Sequence, residues 1–80
     1  MINYFQIYNM DKEKKLDERK RIGSTIRTIR EEQGLTQQQL AEKVGTSRST
    51  IGRVELGDWS VSLDLLTSIT SALDKRVEII

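Results

Sequence analysis

The chain contains no cysteine, no histidine and no proline among its 80 residues. Without thiols there is neither a disulfide framework nor a thiolate metal site, and without imidazole the commonest general base and the commonest zinc ligand are missing. No catalytic role, metal or cofactor is expected. The missing proline, with no internal repeat and no low-complexity tract, leaves no sign of a domain boundary beyond residue 20. Long apolar runs are lacking as well, so neither a membrane span nor a signal peptide is read, and the expected location is the cytoplasm. Charge of one sign is scarce: Lys and Arg total 13 against 12 for Asp and Glu, a net of +1. That excludes a strong nonspecific polyanion binder, so any basic surface must be local.

What is present suits one small domain, since a chain of this size buries only about 60% of its unfolded surface and gains from self-association. Residues 1–8, Met-Ile-Asn-Tyr-Phe-Gln-Ile-Tyr, hold three aromatics and favour extended backbone, a short strand or adhesive arm. The run from Asp11 to Arg21 is mixed in sign and rich in helix formers, with Asp17 and Arg21 spaced to attract. It reads as a solvated helical lead-in, from which Arg19 and Lys20 can touch a polyanion.

Helical periodicity then takes over. Ile22, Ile26 and Ile29 lay one stripe along a helix that stops near Gly34. Thr36 with Gln39 is a capping box, followed by Leu40, Ala41 and Val44 facing inward and a stop at Gly45. Ser47 caps a third helix that ends at Gly57, and Ser62 caps a fourth whose buried stripe is Leu66, Ile69, Ala72 and Leu73. Residues 76–80, Arg-Val-Glu-Ile-Ile, switch to an alternating pattern and predict a short strand. Because lone strands leave backbone groups unpaired, it needs a partner, either the aromatic arm near Tyr4 or, as favoured here, the same strand of a second subunit. The division expected is an arm and lead-in over 1–20, a helical domain over 21–74 and a strand over 75–80.

Two short capped helices around a glycine turn have the layout of a helix-turn-helix, whose second helix enters the major groove, about 12 Å wide. Ile51 and Val54 fix the inward side of that helix, which leaves Arg48, Ser49, Gly52 and Arg53 outward as base readers. An arginine can give two hydrogen bonds to a guanine edge, and Gly52 permits close approach of DNA. Gln37 and Gln38 stand at the N-terminus of the second helix, where free amides and the helix dipole attract phosphate, and Thr50 and Lys43 are further phosphate candidates. The plain alternatives are a helical bundle without a DNA role and, for Arg48 and Arg53, simple solvent-facing charge. The ordered set of caps, glycines and apolar positions exceeds what a plain bundle requires.

The residues Ile22-Gly23, Arg30, Gly34-Leu35-Thr36-Gln37, Leu40-Ala41-Glu42, Val44-Gly45-Thr46-Ser47, Ile51, Glu55, Gly57 and the Ser62 to Leu73 helix resemble the phage Cro and C1 repressor type of helix-turn-helix, the XRE family. Within it, the run from Ser47 to Glu55, followed by Ser62 to Leu66 and the terminal strand, is similar to HipB-like antitoxins. The resemblance implies an all-α, repressor-like bundle of four to five helices with a short C-terminal β-strand paired across a dimer. It implies phosphate contact by Gln37, base reading by Arg48, Ser49, Gly52 and Arg53, and an ion pair between Arg30 and Glu55. Leu56, Asp58 and Val61 depart from the family pattern, so backbone contacts after the third helix are not carried over.

The function expected is therefore sequence-specific binding of double-stranded DNA by a homodimer that represses transcription from a palindromic operator. Its first alternative is an antitoxin that also holds a HipA-like toxin and represses its own operon. Its second is a protein-interaction module that uses the aromatic arm and Trp59; that tryptophan otherwise covers the edge of the loop after the third helix.

Overall fold

The computed structural model describes residues 4–58 and 60–78. Four helices follow one another: α1 (Tyr4–Glu32), α2 (Gln37–Val44), α3 (Arg48–Leu56) and α4 (Leu63–Ala72). Their limits follow from local chemistry. The Thr36 side chain accepts a hydrogen bond from the Gln39 amide at 3.0 Å, and the Gln39 side chain accepts one from the Thr36 amide at 2.8 Å, which closes the capping box of α2. Ser47 and Ser62 accept from the Thr50 and Leu65 amides, each at 3.1 Å, and so open α3 and α4. Gly45 ends α2 in the left-handed conformation at φ 83°. At the end of α4 that position falls to Asp74, at φ 57°, with the Lys75 amide donating back to the Thr70 carbonyl at 2.8 Å.

The core is a single cluster of Ile26, Leu40, Ala41, Ile51, Val54, Ile69 and Leu73. It draws on every helix: α1 and α2 both pack on α3, and α4 closes against α2. Leu40, Ile51 and Ile69 are fully buried, each stabilising the fold by about 1.5–3 kcal/mol relative to an exposed side chain. Arg30 adds a tie by donating to the Leu35 carbonyl at 2.7 Å, which holds the α1–α2 turn. Gln33 donates to the Leu73 carbonyl at 2.7 Å and joins the end of α1 to the end of α4.

Three expectations are corrected. First, the described part of residues 1–8 is not extended: α1 already begins at Tyr4 and runs 29 residues. Its docked half, from Arg19 onward, supplies the nucleus, and each residue added upstream then gains one backbone hydrogen bond, which outweighs the weak strand preference of the aromatics. A helix of this length spans about 43 Å, which accounts for the 48 Å long axis of the molecule. Second, Arg21 pairs with Glu18, not with Asp17; the guanidinium hydrogen bond holds the Glu18 carboxyl below its ordinary range. Third, the described residues include no strand, and Lys75 to Glu78 carry no regular structure. A single copy offers this segment no edge to pair with. Trp59, Ile79 and Ile80 lie outside the described residues, and so do the first three residues of the arm.

Candidate nucleic-acid interface

The helices α2 and α3 meet through Leu40, Ala41, Ile51 and Val54, and this packing decides which side of α3 stays open. Arg48, Ser49 and Arg53 are exposed, and Gly52 is half-buried between them and α2. Exposed Leu56 extends the same side by one turn, with 68% of its surface accessible. An outward side carrying two arginines, a hydroxyl and a gap can meet the floor of a groove with donors at its N-terminal turns.

The phosphate candidates are differently disposed. Gln38 and Lys43 are exposed on α2, with the Gln38 amide donating to Glu42 at 3.2 Å. Thr50 is half-buried and its hydroxyl lies 2.9 Å from that of Ser47, so it forms part of the cap of α3. Gln37 is half-buried and its amide nitrogen donates to Glu55 Oε1 at 3.1 Å. The structure thus brings Gln37, Gly52 and Glu55 together, while Lys43 sits at the far end of α2.

Beneath this surface lies a buried ion pair. Arg30 Nε donates to Glu55 Oε2 at 2.6 Å and Nη2 donates to Oε1 at 3.0 Å, a two-pronged geometry that suits the planar guanidinium. Both residues are 7% exposed. The Glu55 carboxylate raises the pKa of Arg30 above its ordinary value, against the opposing effect of burial, so Arg30 stays charged. Among the described residues no buried side-chain polar atom lacks a partner.

Two features of this region escaped the sequence reading. The hydrogen bond from Gln37 to Glu55 joins residues 18 positions apart, and no local pattern announces it. The other is the close seat of α1 on α3. A Cβ on Gly23 would stand 2.2 Å from the Val54 carbonyl oxygen, and one on Gly57 would stand 2.6 Å from the Lys20 Cα. A glycine directly after the first apolar residue of the Ile22, Ile26, Ile29 stripe was the available signal, because an interior helix glycine marks close backbone approach.

Comparison with known proteins bears on this surface. The helix-turn-helix family model matches residues 26–80. An uncharacterized HTH-type transcriptional regulator of Methanothermobacter thermautotrophicus is 50% identical over 51 residues, 64% of this chain and 74% of that protein. The immunity repressor protein of Bacillus phage phi105 is 41% identical over 59 residues, 74% of this chain but only 41% of that protein. Among solved structures, the restriction-modification controller protein C.AhdI from Aeromonas hydrophila superimposes with a TM-score of 0.73 at 34% identity, over 76% of this chain and 88% of its own. The clp gene regulator ClgR from Corynebacterium glutamicum gives 0.70 at 33% identity, over 72% of this chain and 62% of its own.

Proposed function

Because the chain belongs to the XRE family of Cro/C1-type helix-turn-helix proteins, we propose that it is a DNA-binding transcriptional regulator that represses from a palindromic operator as a homodimer. One observation carries this reading: α3 is anchored on its inner side by Ile51, Val54 and Glu55 and leaves Arg48, Ser49 and Arg53 exposed along the other. Relatives named as transcriptional regulators and as an immunity repressor support the regulatory role. In this reading Arg48, Ser49, Gly52 and Arg53 meet base edges, and Gln37, Gln38, Lys43 and Thr50 meet phosphates. Residues 21–74 form the reading domain, with 1–20 as lead-in and 75–80 as the dimerising segment. No described helix is long and apolar enough to cross a membrane.

The dimer has its own support. An apolar groove between α1 and α4 is lined by Ile22, Ile26, Ile29, Leu66, Leu73 and Val77, and Val77 remains 43% exposed on its rim. Lys75 to Glu78 line the same groove, so a second copy that covers it would meet the start of the terminal segment. Two recognition helices related by that dyad read half-sites about 34 Å apart. The antitoxin role rests on the resemblance of the stretch from Ser47 to Glu55, the run from Ser62 to Leu66 and the terminal residues 76–80 to HipB-like antitoxins, and co-purification of a HipA-like toxin would favour it.

The test is selection from a randomised duplex library, followed by footprinting on the preferred sequence. A twofold-symmetric site is expected, with Arg48→Ala relaxing the preference at one base pair of each half by about 1–3 kcal/mol. Uniform, sequence-independent weakening by Arg48→Ala removes its assignment as a base reader.

A further inference from the structure

Glu55 serves two partners at once. Its Oε2 accepts from Arg30 Nε at 2.6 Å, while Oε1 accepts both Arg30 Nη2 at 3.0 Å and Gln37 Nε2 at 3.1 Å. Since an ionised carboxylate can only accept hydrogen bonds, the Gln37 amide has one orientation available, nitrogen toward Glu55. Both Gln37 Nε2 and Oε1 lie 3.9 Å from the place a Cβ on Gly52 would occupy. The amide therefore rests on the bare flank of α3.

Gly52 is the one glycine that the fold itself does not require. Gly34, Gly45 and Gly57 take positive φ, and Gly23 is pressed against the α3 backbone. A Cβ on Gly52 would meet Gln37 at ordinary van der Waals distance, and a glycine inside a helix is destabilising relative to alanine. Its value must lie in what comes against that flank. The duplex is the ligand named above for this surface, and the inference rests on that reading.

We propose that Glu55 is a positioning residue for DNA: braced by Arg30, it fixes the Gln37 amide over Gly52 so that the second amide proton of Gln37 is offered to a phosphate oxygen. A free glutamine side chain loses rotamer freedom when it binds, and holding it in place beforehand removes that cost. The negative charge of Glu55 does not repel the phosphate, because Arg30 neutralises it at 2.6 Å. Gly52 leaves the approach clear.

The experiment is a double-mutant cycle on the affinity for the duplex selected by the wild-type chain, with Gln37→Ala, Glu55→Asp and the two combined. Glu55→Asp keeps a charge for Arg30, whose long side chain can follow it, but withdraws the acceptor from Gln37. Each single change is expected to weaken binding by up to about tenfold, and the pair no more than Gln37→Ala alone. Additive losses overturn the proposal while the DNA reading stands. A wild-type chain that selects no duplex overturns both. A second measurement needs no variant: in the NMR spectrum of the free wild-type protein, the side-chain amide of Gln37 should show slowed proton exchange, set apart from exposed Gln39, whose side chain engages only its oxygen. A Gln37 amide that exchanges like that of Gln39 overturns the positioning role.

Discussion

The two flanks of α3 differ in what is allowed near them. On the flank facing α1, Gly23 admits no methyl group, since its Cβ would collide with the Val54 and Glu55 carbonyl oxygens at 2.2 and 2.7 Å. On the other flank, the nearest atoms to the missing Cβ of Gly52, beyond its own stretch of helix, are those of the Gln37 amide at 3.9 Å. Both are interior helix glycines, yet the first is demanded by packing and the second is left over by it. The comparison teaches how to separate a residue that serves the fold from one free to serve a ligand: build the missing atom and see what it meets.

Breaking the packed flank should have the largest effect. Glu55→Ala strands the Arg30 charge in the interior, and a loss of about 3–5 kcal/mol is expected in urea unfolding. Such a loss consumes much of the stability of a domain this small. Next comes Gly23→Ala, which forces α1 away from α3 and should cost about 1–3 kcal/mol by the same measurement. A melting curve unchanged by that substitution would show that the helices are not seated this closely. The open flank should respond in the opposite sense. Gly52→Ala is expected to stabilise the free protein by about 1 kcal/mol, yet to weaken duplex binding measured on the same preparation. Stabilisation without loss of affinity would mean that nothing approaches the helix there. The smallest effect expected is at the end of α4, where Asp74 holds φ 57° without being glycine. Asp74→Gly should add about 0.5–1 kcal/mol by relieving the left-handed strain, read as a raised melting temperature.

Much of the helical layout was legible beforehand because caps act over three residues. Thr36 with Gln39, Ser47 with Thr50 and Ser62 with Leu65 are hydrogen bonds between near neighbours, and the order of residue types suffices to predict them. The outward set Arg48, Ser49, Gly52 and Arg53 was readable from the helical period once Ile51 and Val54 were taken as inward. The arm at the start of the chain was misread for the opposite reason. Tyr4, Phe5 and Tyr8 favour strand taken singly, but helix growth from the docked half of α1 is cooperative and depends on contacts far downstream. Trp59, for which two roles were open, lies outside the described residues.

By itself the order of amino acids determined where helices begin and stop and which side of each is apolar, since those outcomes depend on partners within a turn or two. Tertiary structure alone decided that Gln37, 18 positions away, reaches the same Glu55 carboxylate that Arg30 holds. It also decided that Gly23 is crowded while Gly52 is not. Side-chain geometry across three helices is set by how they pack, and a one-dimensional period carries no information about distances between helices.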